Sequence, residues 1–162
     1  MYNALLGSVD LEGKNFYYQN PLAADSLRYP WHVCPCCVGN IPRTLLMMPT
    51  WTYARDRNRI YINLFVGSIM IVENVGGVDV DMVQETNYPW DGRVSITVNP
   101  KKSNRFSVRI RVPNRDIGLL YRSLPEINRI NSLSINGKAS KPVIENGYEA
   151  IRRTWNKGEK SI

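Results

Sequence analysis

Phe106-Ser107-Val108-Arg109-Ile110-Arg111-Val112 alternates apolar and polar side chains at every step. A period of two sends successive side chains to opposite faces of a strand. The segment therefore reads as a strand with one buried and one solvated face, with Arg109 and Arg111 in solvent. The same pattern recurs on the amino-terminal side of it. Ile60, Ile62 and Leu64 alternate with Tyr61, Asn63 and Phe65. Val78, Val80 and Met82 alternate with Asp79, Asp81 and Val83, and Val94, Ile96 and Val98 with Arg93, Ser95 and Thr97. Residues 68–73 form a short apolar run. Turn signals separate these runs: Gly76-Gly77, Asp91-Gly92, Asn99-Pro100, Pro113-Asn114, Asn136-Gly137 and Asn146-Gly147. Asn-Gly is the strongest tight-turn signal, because both residues tolerate a positive φ. Many short strands at this spacing predict a mainly β fold: an antiparallel β-sandwich, jelly-roll-like, over residues 57–162. Residues 119–131 read as an inserted loop or a short helix. Trp155-Asn156-Lys157-Gly158-Glu159 reads as a hairpin turn whose second strand is cut short at Ile162.

Residues 1–56 read differently. Residues 9–11 and 16–18 flank Glu12-Gly13-Lys14-Asn15, a hairpin turn, and the stretch from 19 to 30 is irregular. Then comes Trp31-His32-Val33-Cys34-Pro35-Cys36-Cys37-Val38-Gly39-Asn40-Ile41-Pro42-Arg43, which holds all three cysteines and the one histidine of the chain. Asn40 is a good N-cap, Pro42 suits a first helical turn, and Pro49 should end the helix, so residues 40–48 are predicted helical. Cys36 and Cys37 precede that N-terminus, where unpaired N–H groups favour a thiolate. Several readings of the cluster stay open. Buried cysteines are common small hydrophobes. Cys34 and Cys37 have the spacing of a redox pair without its strand-then-helix setting. A structural zinc site takes four ligands, usually two separated pairs, and the chain offers one cluster.

At these residues the sequence resembles glycoside hydrolase family 127, the β-L-arabinofuranosidase family. That family carries Cys-x-Cys-Cys-Pro-Pro-Asn-Ile-x-Arg, and residues 34–43 match it with Val38-Gly39 in place of Pro-Pro. Tyr2-Asn3, Gly7-Ser8-Val9-Asp10-Leu11-Glu12-Gly13-Lys14 and Phe16-Tyr17-Tyr18-Gln19-Asn20-Pro21-Leu22 are similar to its neighbouring segments. So are Ile60-Tyr61-Ile62-Asn63-Leu64-Phe65 and Gln84-Glu85-Thr86-Asn87-Tyr88-Pro89-Trp90-Asp91-Gly92 further on. The resemblance implies a retaining exo-glycosidase acting on an oligosaccharide or glycoside, with a zinc-bound cysteine as nucleophile. It implies that Cys36 is the nucleophile and a zinc ligand and that Cys37 is a second ligand. The family's other two ligands and its general acid/base glutamate come from upstream sequence. Residues 1–56 are then the end of an (α/α)6 helical-barrel catalytic domain and residues 57–162 the following β-domain, truncated. In this reading the isolated chain binds no zinc and is inactive. His32 is the candidate for lining the sugar pocket. Trp90, in a turn, is the tryptophan least expected in the core. Glu73 and Glu85 read as exposed rather than catalytic. The contrasting reading is a non-catalytic β-sandwich module that binds carbohydrate or protein.

Bulk properties narrow the field. Hydrophobic residues are 43% and charged residues 22%, as in ordinary globular proteins. No apolar run has membrane-spanning length, so no membrane partner is expected. The net charge of +7 comes from dispersed Lys and Arg. Without a recognised binding motif, no nucleic-acid partner is expected, and acidic saccharides suit such a surface as well. No signal segment is present, which leaves the parent enzyme either cytoplasmic or periplasmic.

Overall fold

The structure is a computed structural model that describes residues 6–17, 27–34, 36, 39–112, 130–157 and 159–161. It divides into two compact units, Met1–Pro49 and Thr50–Ile162. The expected boundary lay at residues 56 and 57; Tyr53–Asp56 already forms a strand of the second unit.

The second unit consists of two sheets. Strands β1 (Tyr53–Asp56), β2 (Arg59–Ile62), β6 (Asn104–Arg111), β10 (Tyr148–Trp155) and β9 (Ile144–Glu145) form a five-stranded sheet in the order β1-β2-β6-β10-β9. Strands β3 (Ser68–Val75), β4 (Val78–Thr86), β5 (Val94–Pro100), β11 (Glu159–Ser161), β7 (Leu133–Ile135) and β8 (Lys138–Ser140) form a six-stranded sheet in the order β3-β4-β5-β11-β7-β8. Every pairing is antiparallel except β2 with β6.

The alternation sorts side chains as the sequence predicts. Ile60, Ile62, Val108, Ile110 and Ile151 point inward from one sheet, and Val72, Val80, Met82, Ile96 and Val98 from the other. Burying one such side chain contributes about 1.5–3 kcal/mol, so these facing rows hold the sandwich together. Trp155 is fully buried at one end of this core. Its ring stacks on Phe106 with centroids 5.8 Å apart, and its Nε1 donates to the Phe106 carbonyl at 3.1 Å. A polar tie joins the sheets: Gln84 Nε2 donates to the Tyr53 hydroxyl at 2.9 Å and to the Leu64 carbonyl at 3.2 Å.

Both Asn-Gly pairs form tight turns. Asn136 and Gly137 have φ of 53° and 76° between β7 and β8, and Asn146 and Gly147 have 51° and 79° between β9 and β10. Positive φ at both central positions is what a two-residue hairpin needs to follow strand twist. Gly76 serves another purpose. A Cβ there would meet Asn104 Nδ2 at 3.0 Å, and that amide ties Val75 and Gly76 by donating to both carbonyls.

Four local expectations differ from the structure. Asn99 and Pro100 close strand β5 instead of making a turn. β10 and β11 do not pair as a hairpin. The chain changes sheets between them, and β11 pairs with β5 and β7. Helix α1 runs from Asn40 to Thr52, through Pro49. Proline's φ suits a helix, and its missing N–H forfeits one bond near the end. The Asn63 N–H then anchors that end by donating to the Thr52 carbonyl at 2.9 Å. Arg109 is buried, 6% exposed, although its alternation placed it in solvent. Pro113-Asn114, and residues 119–131 apart from 130 and 131, lie outside the described residues.

In the first unit, isolated bridges join Val9 to Phe16 and Phe16 to Tyr29 around the expected turn. Among its described residues only Ser8 is buried, while Leu11, Leu27, Trp31, Val33 and Leu46 are all largely exposed.

Candidate active site

Cys34 and Cys36 are exposed thiols outside any disulfide, and their sulfurs lie 3.5 Å apart. Cys37 lies outside the described residues. Cys36 sits in a turn just ahead of α1. The helix opens one residue earlier than the expected cap implied: the Gly39 carbonyl accepts from the Arg43 N–H at 3.3 Å. The Asn40 side chain therefore does not cap; its Oδ1 accepts from Arg43 Nη1 at 2.6 Å. Pro42 contributes no N–H to this end, so this helix start has one backbone donor fewer than an ordinary one.

His32 is half-buried within the same unit. Its Nε2 lies 3.2 Å from the Phe16 carbonyl oxygen, and its ring touches those of Phe16 and Tyr29. These contacts brace the Phe16–Tyr29 bridge. Glu73 and Glu85 are exposed, as expected for non-catalytic carboxylates, and Trp90 is 83% exposed in its turn.

Thiolate donors are the kind zinc selects, and the sulfur separation allows both to face one ion. The count falls short: among the described residues no group of three or more His, Cys, Asp or Glu side chains is placed to hold a metal.

A second polar cluster was not legible in the sequence. On the outer face of the five-stranded sheet, Glu145 accepts from Arg109 Nη2 at 3.0 Å and from Arg152 Nη1 at 2.6 Å. The Arg152 guanidinium, with Arg109 beside it, holds the Glu145 carboxyl below the usual carboxylate range. Arg109 lies over the Tyr61 ring, Tyr61 meets Tyr148 edge-on at 5.3 Å, and the Tyr148 hydroxyl donates to Asn63 Oδ1 at 2.8 Å. The sequence trace of this cluster was Arg109 among apolar residues, and its partner Glu145 stands 36 residues away.

The chain is thus a two-sheet β-sandwich preceded in sequence by a short thiol-bearing segment and one helix. Residues 59–161 match the profile of the beta-L-arabinofuranosidase GH127 middle domain, and residues 1–50 that of the GH127 catalytic domain. The chain belongs to glycoside hydrolase family 127. It is 28% identical over 166 residues to a non-reducing end beta-L-arabinofuranosidase of Bifidobacterium longum subsp. longum, covering 91% of this chain and 23% of that protein. It is also similar to the crystal structure of a GH127 beta-L-arabinofuranosidase from Geobacillus stearothermophilus T6. That match has a TM-score of 0.79 and 32% identity, over 96% of this chain and 25% of the other. A second solved GH127 beta-arabinofuranosidase matches with a TM-score of 0.83 and 30% identity, over 99% of this chain and 26% of the other. The chain therefore spans about a quarter of the length of these relatives.

Proposed function

We propose that this chain supplies the nucleophile segment and the accessory β-domain of a retaining, β-L-arabinofuranosidase-like exo-glycosidase. The observation that carries the reading is the match of residues 1–50, which include the cysteine cluster, to the family's catalytic domain. Cys36 is the nucleophile: its thiolate attacks the anomeric carbon, the glycosidic C–O bond breaks, and a glycosyl thioether forms. Water then attacks the same carbon and releases the sugar with its configuration retained, as in the two-step scheme of retaining glycosidases. Cys36 and Cys37 would hold zinc, which when bound would supply the charge that keeps thiols deprotonated at neutral pH. Zinc takes four ligands, so two come from outside these 162 residues, as does the acid that protonates the leaving oxygen.

The test is substitution of Cys36 in a family-length enzyme containing this chain. Cys36→Ala should abolish turnover of an aryl arabinofuranoside. Cys36→Ser should be nearly as severe, because a hydroxyl is a weaker nucleophile and a poorer zinc ligand. Near-normal turnover by either variant sinks the assignment.

A further inference from the structure

Cys34 has no part in the proposed glycosidase chemistry, in which Cys36 attacks the sugar and Cys36 and Cys37 would hold the metal. Yet Cys34 lies against Cys36, with the two sulfurs 3.5 Å apart. Residues two apart in an extended chain stand about 6.6 Å from each other, so sulfurs in contact mean that the two side chains converge. Both residues are exposed, and neither belongs to a helix or a strand: Cys36 sits in a turn, and Cys34 lies in irregular chain just before it. A disulfide bond is about 2.05 Å long, so the sulfurs have about 1.5 Å left to close. Neither a helix nor a sheet holds them apart.

Two thiols in contact and open to solvent have a chemistry that one lacks. A single exposed thiolate meeting a hydroperoxide becomes a sulfenic acid, and further oxidation carries it to sulfinic and sulfonic acids, which are not recovered by ordinary reductants. A second thiol within reach stops that ladder at a disulfide, which a reductant reopens. The adjacent pair Cys36 and Cys37 is poorly suited to this, because so short a linkage strains the disulfide geometry. Thiols that merely share a turn would show no preference for Cys34 with Cys36 over a pairing with Cys37.

We propose that Cys34 is the resolving thiol of Cys36, and that under hydrogen peroxide the pair closes into a reversible disulfide that silences and protects the nucleophile. The Cys36 thiolate attacks one peroxide oxygen: an S–O bond forms, the O–O bond breaks, and hydroxide leaves and is protonated to water. The Cys34 thiolate then attacks the Cys36 sulfur: the S–S bond forms, the S–O bond breaks, and a second hydroxide leaves as water once protonated. Two thiols and one peroxide become one disulfide and two waters, with the sulfurs losing two electrons and the peroxide gaining them. While the bond is closed, Cys36 has no thiolate to offer an anomeric carbon, and reduction restores it. The pairing follows from the sulfur contact alone; its effect on turnover rests on the assignment of Cys36 as nucleophile.

The test starts from the reduced, zinc-free 162-residue chain, treated with hydrogen peroxide, alkylated under denaturing conditions and digested with trypsin. The peptide Tyr29–Arg43 carries all three cysteines. After oxidation it should be two hydrogens lighter and carry one alkyl group, on Cys37. Cys37→Ser should form the same disulfide. Cys34→Ser should form at least about tenfold less intramolecular disulfide and accumulate sulfinic acid at Cys36 instead. An alkyl group left on Cys34 or Cys36 of the oxidised parent, or undiminished disulfide in Cys34→Ser, overturns the pairing. The second readout uses a family-length enzyme containing this chain. Peroxide should abolish its turnover of an aryl arabinofuranoside, and a phosphine reductant should then restore the parent at least about fivefold better than Cys34→Ser, each relative to its own untreated activity. Cys34→Ala stands in if the serine variant is inactive or unfolded. Equal recovery overturns the protective role. A mapped Cys34–Cys36 disulfide that leaves turnover intact overturns the silencing, and with it the nucleophile assignment, while the pairing stands.

Discussion

Glu149 should be a liability to this sandwich at neutral pH, and Glu149→Gln should make the protein more stable. The carboxylate points into the core face of β10, opposite Ile110, and the residue is 2% exposed. Oε2 has no hydrogen-bond partner. Burial pushes this carboxyl above its ordinary value of 4.5; the Val143 N–H works against that shift, and the nearby Glu145 charge adds to it. Glutamine keeps an acceptor for the Val143 N–H and removes the ionisation. An unsatisfied buried polar group costs about 1–3 kcal/mol, and a charged one more, so a net gain of about 1–2 kcal/mol is expected even though the new amide is itself incompletely bonded.

The sign follows from linkage. Below the ordinary value the group is protonated in both folded and unfolded chains, and the variant gains little. As pH rises, the unfolded chain ionises first, so the native protein loses stability until its own carboxyl ionises. Thermal melts of the two proteins at pH 4 and pH 7.5 test this. The variant should melt roughly 2–8 °C higher at pH 7.5, given 2–4 °C per kcal/mol at this size. The gap should nearly close at pH 4. A variant that melts lower at pH 7.5, or a gap independent of pH, would refute the reasoning.

Three further substitutions probe the same unit. Glu145→Ala strands the buried guanidinium of Arg109 and should lower the melting temperature at pH 7. Because Arg152 and Arg109 depress the Glu145 pKa, its contribution is present above 4.5 and lost as pH falls through the folded value, so the deficit should shrink on acidification. Gly76→Ala and Gly137→Ala both force a positive φ on alanine, at about 1–2 kcal/mol each. Only Gly76 has Asn104 Nδ2 within 3.0 Å of the added methyl, so denaturant melts should show the larger loss there.

The legible parts of this fold are those set by near neighbours in sequence. Period-two alternation around Val108 and Ile110 marked strands and their inner faces, because side-chain direction depends only on the backbone next door. Asn136-Gly137 and Asn146-Gly147 marked turns for the same reason. What stayed hidden depends on distant partners. β2 lies parallel to β6, and β10 hands the chain to the other sheet at Trp155; no local pattern encodes either. Arg109 reads as solvated by alternation and becomes buried because Tyr61 and Glu145, from two other strands, close over it. Pro49 reads as a stop, and the helix continues because a bond from Asn63 secures its end. The cysteine cluster was visible as an unusual concentration of thiols, but a metal site is defined by ligands that are remote in sequence, and these the cluster cannot reveal.

That distinction governs what the isolated 162-residue chain should do. Tetrahedral zinc needs four donors, and the described residues assemble no group of three. Two cysteine thiolates with water in the remaining positions bind a metal far more weakly than a closed set. The thiols' other support is also thin: Cys34 and Cys36 are exposed, and the helix end beside them includes Pro42, which donates nothing. No acid positioned for the leaving group is described near them either. The isolated chain should therefore hold less than stoichiometric zinc after gel filtration and release no sugar from an aryl arabinofuranoside. Its exposed thiols should react readily with an alkylating reagent, and added zinc should slow that reaction only at high concentration. Metal analysis, a turnover assay and alkylation kinetics on one preparation measure all three. One tightly held zinc per chain, together with sugar release at an ordinary enzymatic rate, would show that these residues complete the site among themselves.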